Sequence, residues 1–186
     1  MIIKTKKRVY SPATDKILHY FFSFPLTEAT LNQVVSKLQI SKSSANKSIR
    51  QLLQEKFLQR KIVGRTWLLS CNQHHQYNSS RKIAYFLGEI VDSELLPALR
   101  KEFPSAKAII LFGSYRKGDC TDQSDVDIAI EWGVTKIIEW GKFEQLGYRR
   151  NVPINVHLIS RKNININLFA NIANGIVLDG FLEVQP

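Results

Sequence analysis

Two aspartates one residue apart, Asp125 and Asp127, stand at the mouth of an apolar run from Val126 to Ile130. On a β-strand such residues point the same way, about 7 Å apart along the backbone. Two carboxylates on one face of a strand otherwise suited to burial repel each other and are costly to desolvate. A divalent cation between them removes that cost, and hard oxygen ligands suit Mg²⁺. An earlier apolar run, Ala108 to Phe112, stops abruptly at Gly113-Ser114, as a buried strand does when it turns into a loop or helix.

Gly113-Ser114, then Gly118, then Ser124-Asp125-x-Asp127 on the following strand resembles the signature of the DNA polymerase β superfamily. More narrowly it is similar to the minimal nucleotidyltransferases, relatives of kanamycin nucleotidyltransferase. A lone Asp-x-Asp is more often a pair of solvated turn residues; the preceding strand end with Gly-Ser makes the motif specific. The resemblance covers about the last hundred residues. It implies that Gly113 and Ser114 hold nucleotide phosphates, the glycine by admitting them to the backbone and the serine by donating its hydroxyl. It also implies that Asp125 and Asp127 hold Mg²⁺, and that a nucleoside monophosphate passes from a Mg²⁺–nucleoside triphosphate to an acceptor hydroxyl. Family members place a third carboxylate on a neighbouring strand, where it helps to hold the metal that activates that hydroxyl.

Here the chain departs from the family. Its candidate strand reads Ile154-Asn155-Val156-His157-Leu158-Ile159, with no acid. Asn155 and His157 share a face by strand parity, so one of them is expected at the third-carboxylate position. Asparagine brings no charge, and a neutral imidazole is a softer ligand than Mg²⁺ prefers. His157 is a candidate general base by proximity. Glu131, on the face of Asp127, is a distant substitute.

The elements that must carry these residues read as α+β. Residues 81–186 are expected to form the nucleotidyltransferase-like mixed sheet with helices. Ile83, Phe86, Leu87, Ile90 and Val91 predict a helix, with a break or fresh start near Pro97. Thr135 to Tyr148 is read as a helix packing through Ile137, Ile138, Trp140 and Leu146. Asn163 to Ala173 is read as another helix. Ile176–Leu178 and Phe181–Val184 are read as a closing hairpin around Asp179-Gly180.

Charge divides the chain. Before residue 81 there are thirteen Lys and Arg against three Asp and Glu, so this part carries the whole net charge of +10. Such segregation predicts two modules, the first built to meet a polyanion. Within residues 1–70, Ser11-Pro12 opens a first helix with face Ile17, Leu18, Phe21, Phe22 and Phe24, and Thr27 or Thr30 opens a second. Ser41 caps a third, with Ala45, Ile49, Leu52, Leu53 and Phe57 inward. Leu58–Ile62 and Thr66–Leu69 follow as strands around Val63-Gly64-Arg65.

That order resembles a winged helix-turn-helix domain, a fold that also serves protein contacts; the charge bias favours double-stranded DNA. The resemblance implies a third helix in the major groove, presenting Lys42, Ser43, Ser44, Asn46, Lys47 and Arg50. Arg60, Lys61 and Arg65 would lie on the wing. Residues 71–80 are polar and read as a linker, the His74-His75 pair included.

Cys71 and Cys120 are too few for a disulfide framework or zinc site, so a reducing cytoplasm is expected. No run reaches membrane-spanning length, and Met1-Ile2-Ile3-Lys4 lacks a signal peptide's apolar stretch. The function expected is DNA binding coupled to a nucleotide-handling domain. The alternative is a non-enzymatic regulator, or an antitoxin-like protein partnered by a toxin of the ribonuclease kind; a homodimer fits either.

Overall fold

Short polar side chains start the first three helices. Ser11 accepts from the Thr14 amide and opens α1 (Pro12–Ser23), with Pro12 at the first helical position, where its missing N–H costs nothing. Thr30 and Gln33 form a capping box at α2 (Leu31–Leu38), and Ser41 caps α3 (Lys42–Gln54). Between them Gln39 adopts a left-handed conformation, φ 51°. Ile17, Leu18, Phe21 and Phe22 of α1 are buried with Val34, Leu38, Ala45, Ile49, Leu52 and Phe57. Phe24, expected on the α1 face, caps that helix and is half-buried. Strands β1 (Leu58–Val63) and β2 (Thr66–Cys71) pair antiparallel around Gly64, and a bridge from Ala29 to Leu69 ties the hairpin to the helices.

These elements come from a computed structural model that describes residues 10–184. Lys4, Lys6, Lys7 and Arg8, counted above, lie outside that span. The chain divides into two compact units, residues 1–75 and 76–186. The connection is shorter than the linker expected over 71–80. Cys71 closes β2 and Asn78 already begins a helix, leaving residues 72–77. Among the described residues no helix is long and apolar enough to cross a membrane.

The second unit opens with α4 (Asn78–Val91) and α5 (Leu95–Glu102); the break falls at residues 92–94, and Pro97 sits in the first turn of α5. The sheet follows: β3 (Ala108–Phe112), β4 (Val126–Glu131), β5 (Lys136–Leu146), β6 (Arg149–Ile159) and β7 (Ile176–Gly180), in the order β5-β6-β4-β3-β7. Only β4 and β6 run parallel. A short helix, α6 (Gly113–Lys117), follows β3 directly. Strand parity puts Ala108, Ile110, Phe112, Ala129 and Ile159 on one face, where they bury Ile172 of α7 (Ile166–Ala173). Asp127 and His157 share that face.

Two expectations fail. Residues 135–148 form no helix: they are β5 and the turn that pairs it with β6. A register shift between Glu139 and Gly141 breaks the period-two signal, so the apolar residues mimic helical spacing. Gly147, at φ 60° in the two-residue turn, matches hairpin geometry. The closing hairpin is absent as well. Ile176–Gly180 pairs with β3 instead, and Phe181–Val184 lies in no strand. An ion pair from Arg100 of α5 to Asp179 fastens β7 and holds the Asp179 carboxyl below its ordinary range.

Ser41→Ala tests the first unit's framework. Loss of this cap should cost about 1 kcal/mol. The urea midpoint of that unit should fall; an unchanged midpoint would mean that water replaces the hydroxyl.

Candidate active site

The antiparallel register sets Phe112, the last residue of β3, opposite Asp127 on β4. The chain then turns at Gly113 with φ +69°, a conformation that favours glycine. A Cβ on Gly113 would run into the Asp127 carboxylate. The carboxylate therefore rests in the notch left by the missing side chain. Ser114 follows in α6, whose end is set by Gly118 (φ +76°); a Cβ there would strike the Ser79 backbone at the start of α4. Both motif glycines are required by close approach as well as by backbone angle.

The loop that delivers Asp125 is tied at several points. Arg149, 7% exposed, donates through Nη1 to the Tyr115 hydroxyl at 2.5 Å and to the Ser124 carbonyl at 2.7 Å. Burial pushes the Tyr115 hydroxyl pKa far up, so it stays protonated. Its ring stacks edge-on to Phe86 of α4. Lys82, also buried, donates to the Cys120 carbonyl, and the Thr121 amide donates to Ser124 Oγ at 2.9 Å. Cys120 is buried, which raises its thiol pKa above the ordinary value. Tyr115, Arg149 and Lys82 carried no motif signal; only the folded loop gives them a role.

Parallel pairing sets Asn155 beside Asp127 and His157 beside Ala129. Both side chains reach the aspartates. Asn155 Nδ2 donates to Asp125 Oδ2 at 3.1 Å, and His157 Nε2 lies 3.4 Å from Asp127 Oδ1. His157 Nδ1 is buried with no hydrogen-bond partner in the described residues, and the ring meets Phe112 edge-on. Glu131 is no substitute carboxylate: it is 6% exposed and bound by Arg161 Nε at 2.8 Å and Nη2 at 3.3 Å.

The donor set fits a metal in part. Two half-buried carboxylates on one face, one seated against a bare backbone turn, offer hard oxygens to a single divalent cation. Among the described residues there is no group of three or more His, Cys, Asp or Glu that could hold one. Beside Gly113 lies a pocket of about 280 Å³ lined by Phe112, Arg116, Lys117, Asn171 and Asn174. Its two cations, which sequence reading passed over, suit an anion.

The first unit exposes all nine residues expected to meet DNA and brings four of them into one groove. Lys42, Ser43, Ser44, Asn46, Lys47 and Arg50 are all exposed on α3, as are Arg60, Lys61 and Arg65 on the hairpin. Lys42, Asn46, Arg50 and Arg65 line one groove of about 350 Å³ with Trp67; Lys47 and Lys61 lie outside it. Ser43 and Ser44 hydroxyls bond to Ser41 and belong to the cap. Trp67, unnoticed in the sequence, carries the Arg60 guanidinium 4.0 Å from its ring centre.

A Gly-Ser turn seated on one of two paired carboxylates, in a mixed sheet flanked by helices, is the arrangement of nucleotidyl-transferring domains. Residues 92–165 match the nucleotidyltransferase domain family. A Methanocaldococcus jannaschii protein provisionally named a protein adenylyltransferase is 33% identical over 67 residues, 35% of this chain and 67% of that protein. The chain belongs to the nucleotidyltransferase domain family.

Gly113→Ala should cost about 1–3 kcal/mol from backbone strain alone, with the carboxylate collision added. Gly133→Ala, at φ +94° in open space, suffers only the strain. Urea unfolding of the second unit should show Gly113→Ala as the more damaging change; equal losses would mean that Asp127 moves aside freely.

Proposed function

We propose that this protein transfers a nucleoside monophosphate from a Mg²⁺–nucleoside triphosphate to an acceptor hydroxyl, and that its first unit binds double-stranded DNA. The observation that carries the transferase reading is the Asp127 carboxylate lodged against Gly113, with Asp125 on the same face. Gly113 and Ser114 would receive the phosphates, with Arg116 and Lys117 of the adjoining pocket on their charge. Asp125 and Asp127 would hold Mg²⁺, which offsets the charge of the triphosphate. The acceptor oxygen would attack the α-phosphorus as pyrophosphate leaves, the hydroxyl proton passing to solvent water. His157, turned toward Asp127, has a positioning role in this reading. The M. jannaschii relative's name makes an adenylyl donor and a protein hydroxyl the first pair to try.

The first unit is read as a winged helix-turn-helix. Three capped helices and a hairpin, with Lys42, Asn46, Arg50 and Arg65 around one groove, support that reading. One observation favours a second reading, in which the nucleotide domain binds but does not turn over. Neither Asn155 nor His157, one of which is expected where the family carries a third carboxylate, is an acid, and the Asn155 amide already bonds to Asp125. Such a protein would be a regulator or an antitoxin-like partner of a toxin, and a homodimer is compatible with both readings.

Incubation with α-³²P-labelled ATP, Mg²⁺ and cell protein separates the two. Transfer of label that Asp125→Asn abolishes supports the enzyme. Mg²⁺-dependent triphosphate binding without transfer supports the binder, and no binding removes both.

For the DNA reading, affinity of the full chain for duplex should fall steeply with salt as counterions are released. Arg50→Ala should weaken binding and relax sequence preference, and Lys61→Ala should weaken all sequences alike. Gel shifts showing no binding at low salt would overturn it.

A further inference from the structure

The two aspartates are unequal in their surroundings on either side. Toward Gly113 the Asp127 carboxylate rests against a backbone turn with no side chain, and toward β6 the pair meets the side-chain nitrogens of Asn155 and His157. Asn155 Nδ2 takes one oxygen of Asp125, and His157 Nε2 lies against one oxygen of Asp127. Each carboxylate so keeps one oxygen for another ligand, and the spare Asp127 oxygen, Oδ2, is the one that lies against Gly113.

We propose that the site holds a single divalent cation on its Gly113 side, and that the Asn155 amide and the His157 imidazole occupy the position of a second. This rests on the nucleotide-binding reading above and specifies its metal count. A carboxylate partner requires the NH₂ end of the Asn155 amide, which has no lone pair for a metal. His157 occupies the same side: its Nε2 lies 3.4 Å from Asp127 Oδ1 and its ring is packed edge-on against Phe112, which leaves no space between the imidazole and that carboxylate oxygen. Ligand number points the same way: two carboxylates can hold one divalent cation, and a second beside it would lack the third carboxylate ligand that two-metal sites supply. Glu131, the nearest further acid along β4, is committed to Arg161.

Counting bound Mn²⁺ by electron paramagnetic resonance tests this on the full-length chain, with the α,β-methylene analogues of ATP, GTP, CTP and UTP in parallel. The wild type should saturate at one Mn²⁺ per ternary complex. Asn155→Asp removes the donor and adds a ligand, so it should saturate at two, with the dipolar broadening of neighbouring ions. His157→Asp provides the same test should Asn155→Asp fail to fold by circular dichroism. Asp125→Asn corrects for Mn²⁺ bound elsewhere on the surface. Two ions in the wild type, lost in Asp125→Asn, would overturn the proposal by showing that the amide turns its oxygen to the metal. One ion in the wild type and in every folded Asp variant would overturn the role given to Asn155 and His157 while leaving nucleotide binding intact. Absence of a ternary complex with any analogue would remove the nucleotide reading itself, and the inference with it.

Discussion

The seat of Asp127 against Gly113 is the contact on which the rest of the second unit turns. It requires β3 to end at Phe112, opposite Asp127, and it requires the next residue to lack a Cβ and to tolerate positive φ. With those conditions met, the chain enters α6 at once and must leave it within five residues, because Gly118 is pressed against the Ser79 backbone of α4. The short helix α6, the start of α4 and the end of the central strand that bears the carboxylates are thus tied together by two glycine contacts.

Around that seat the fold invests buried polar groups, which are expensive unless satisfied. Arg149 comes from the start of β6 and ends on Ser124 and Tyr115; Lys82 comes from α4 and ends on Cys120. Both cations are spent on the loop that carries Asp125, so they position a carboxylate without touching it. Two hydrogen bonds of this kind hold the loop more firmly than apolar contacts could, since each specifies a direction.

The face toward β6 follows a different logic. There the Asn155 amide satisfies an oxygen of Asp125 without neutralising it, and Glu131, the buried acid among the described residues, is matched by Arg161. Two negative charges therefore remain for whatever ligand enters on the Gly113 side. The first unit has the opposite balance. No acid occurs from Lys56 to Gly88, and the exposed cations of α3 and the hairpin surround a groove floored in part by Trp67.

The sequence by itself determined the elements whose signals are local. Ser11, Thr30 and Ser41 announce three helices because a cap bonds within three residues, and Gly64 between alternating strands announces a hairpin. The Gly113-Ser114 and Asp125-x-Asp127 pattern was legible for the same reason: one turn and one strand contain it. What crosses strands was not legible. A bulge at Glu139–Gly141 scrambled the period of β5 into a helical one, and β7 chose β3 over its own neighbour because Arg100 and the free edge of β3 lie far off in sequence. Parity alone put Asn155 and His157 on one face. Only the parallel register of β4 and β6 decided that the first would bond to Asp125 and the second face Asp127, because register is set by which residues the sheet can bury and not by the strand's own composition.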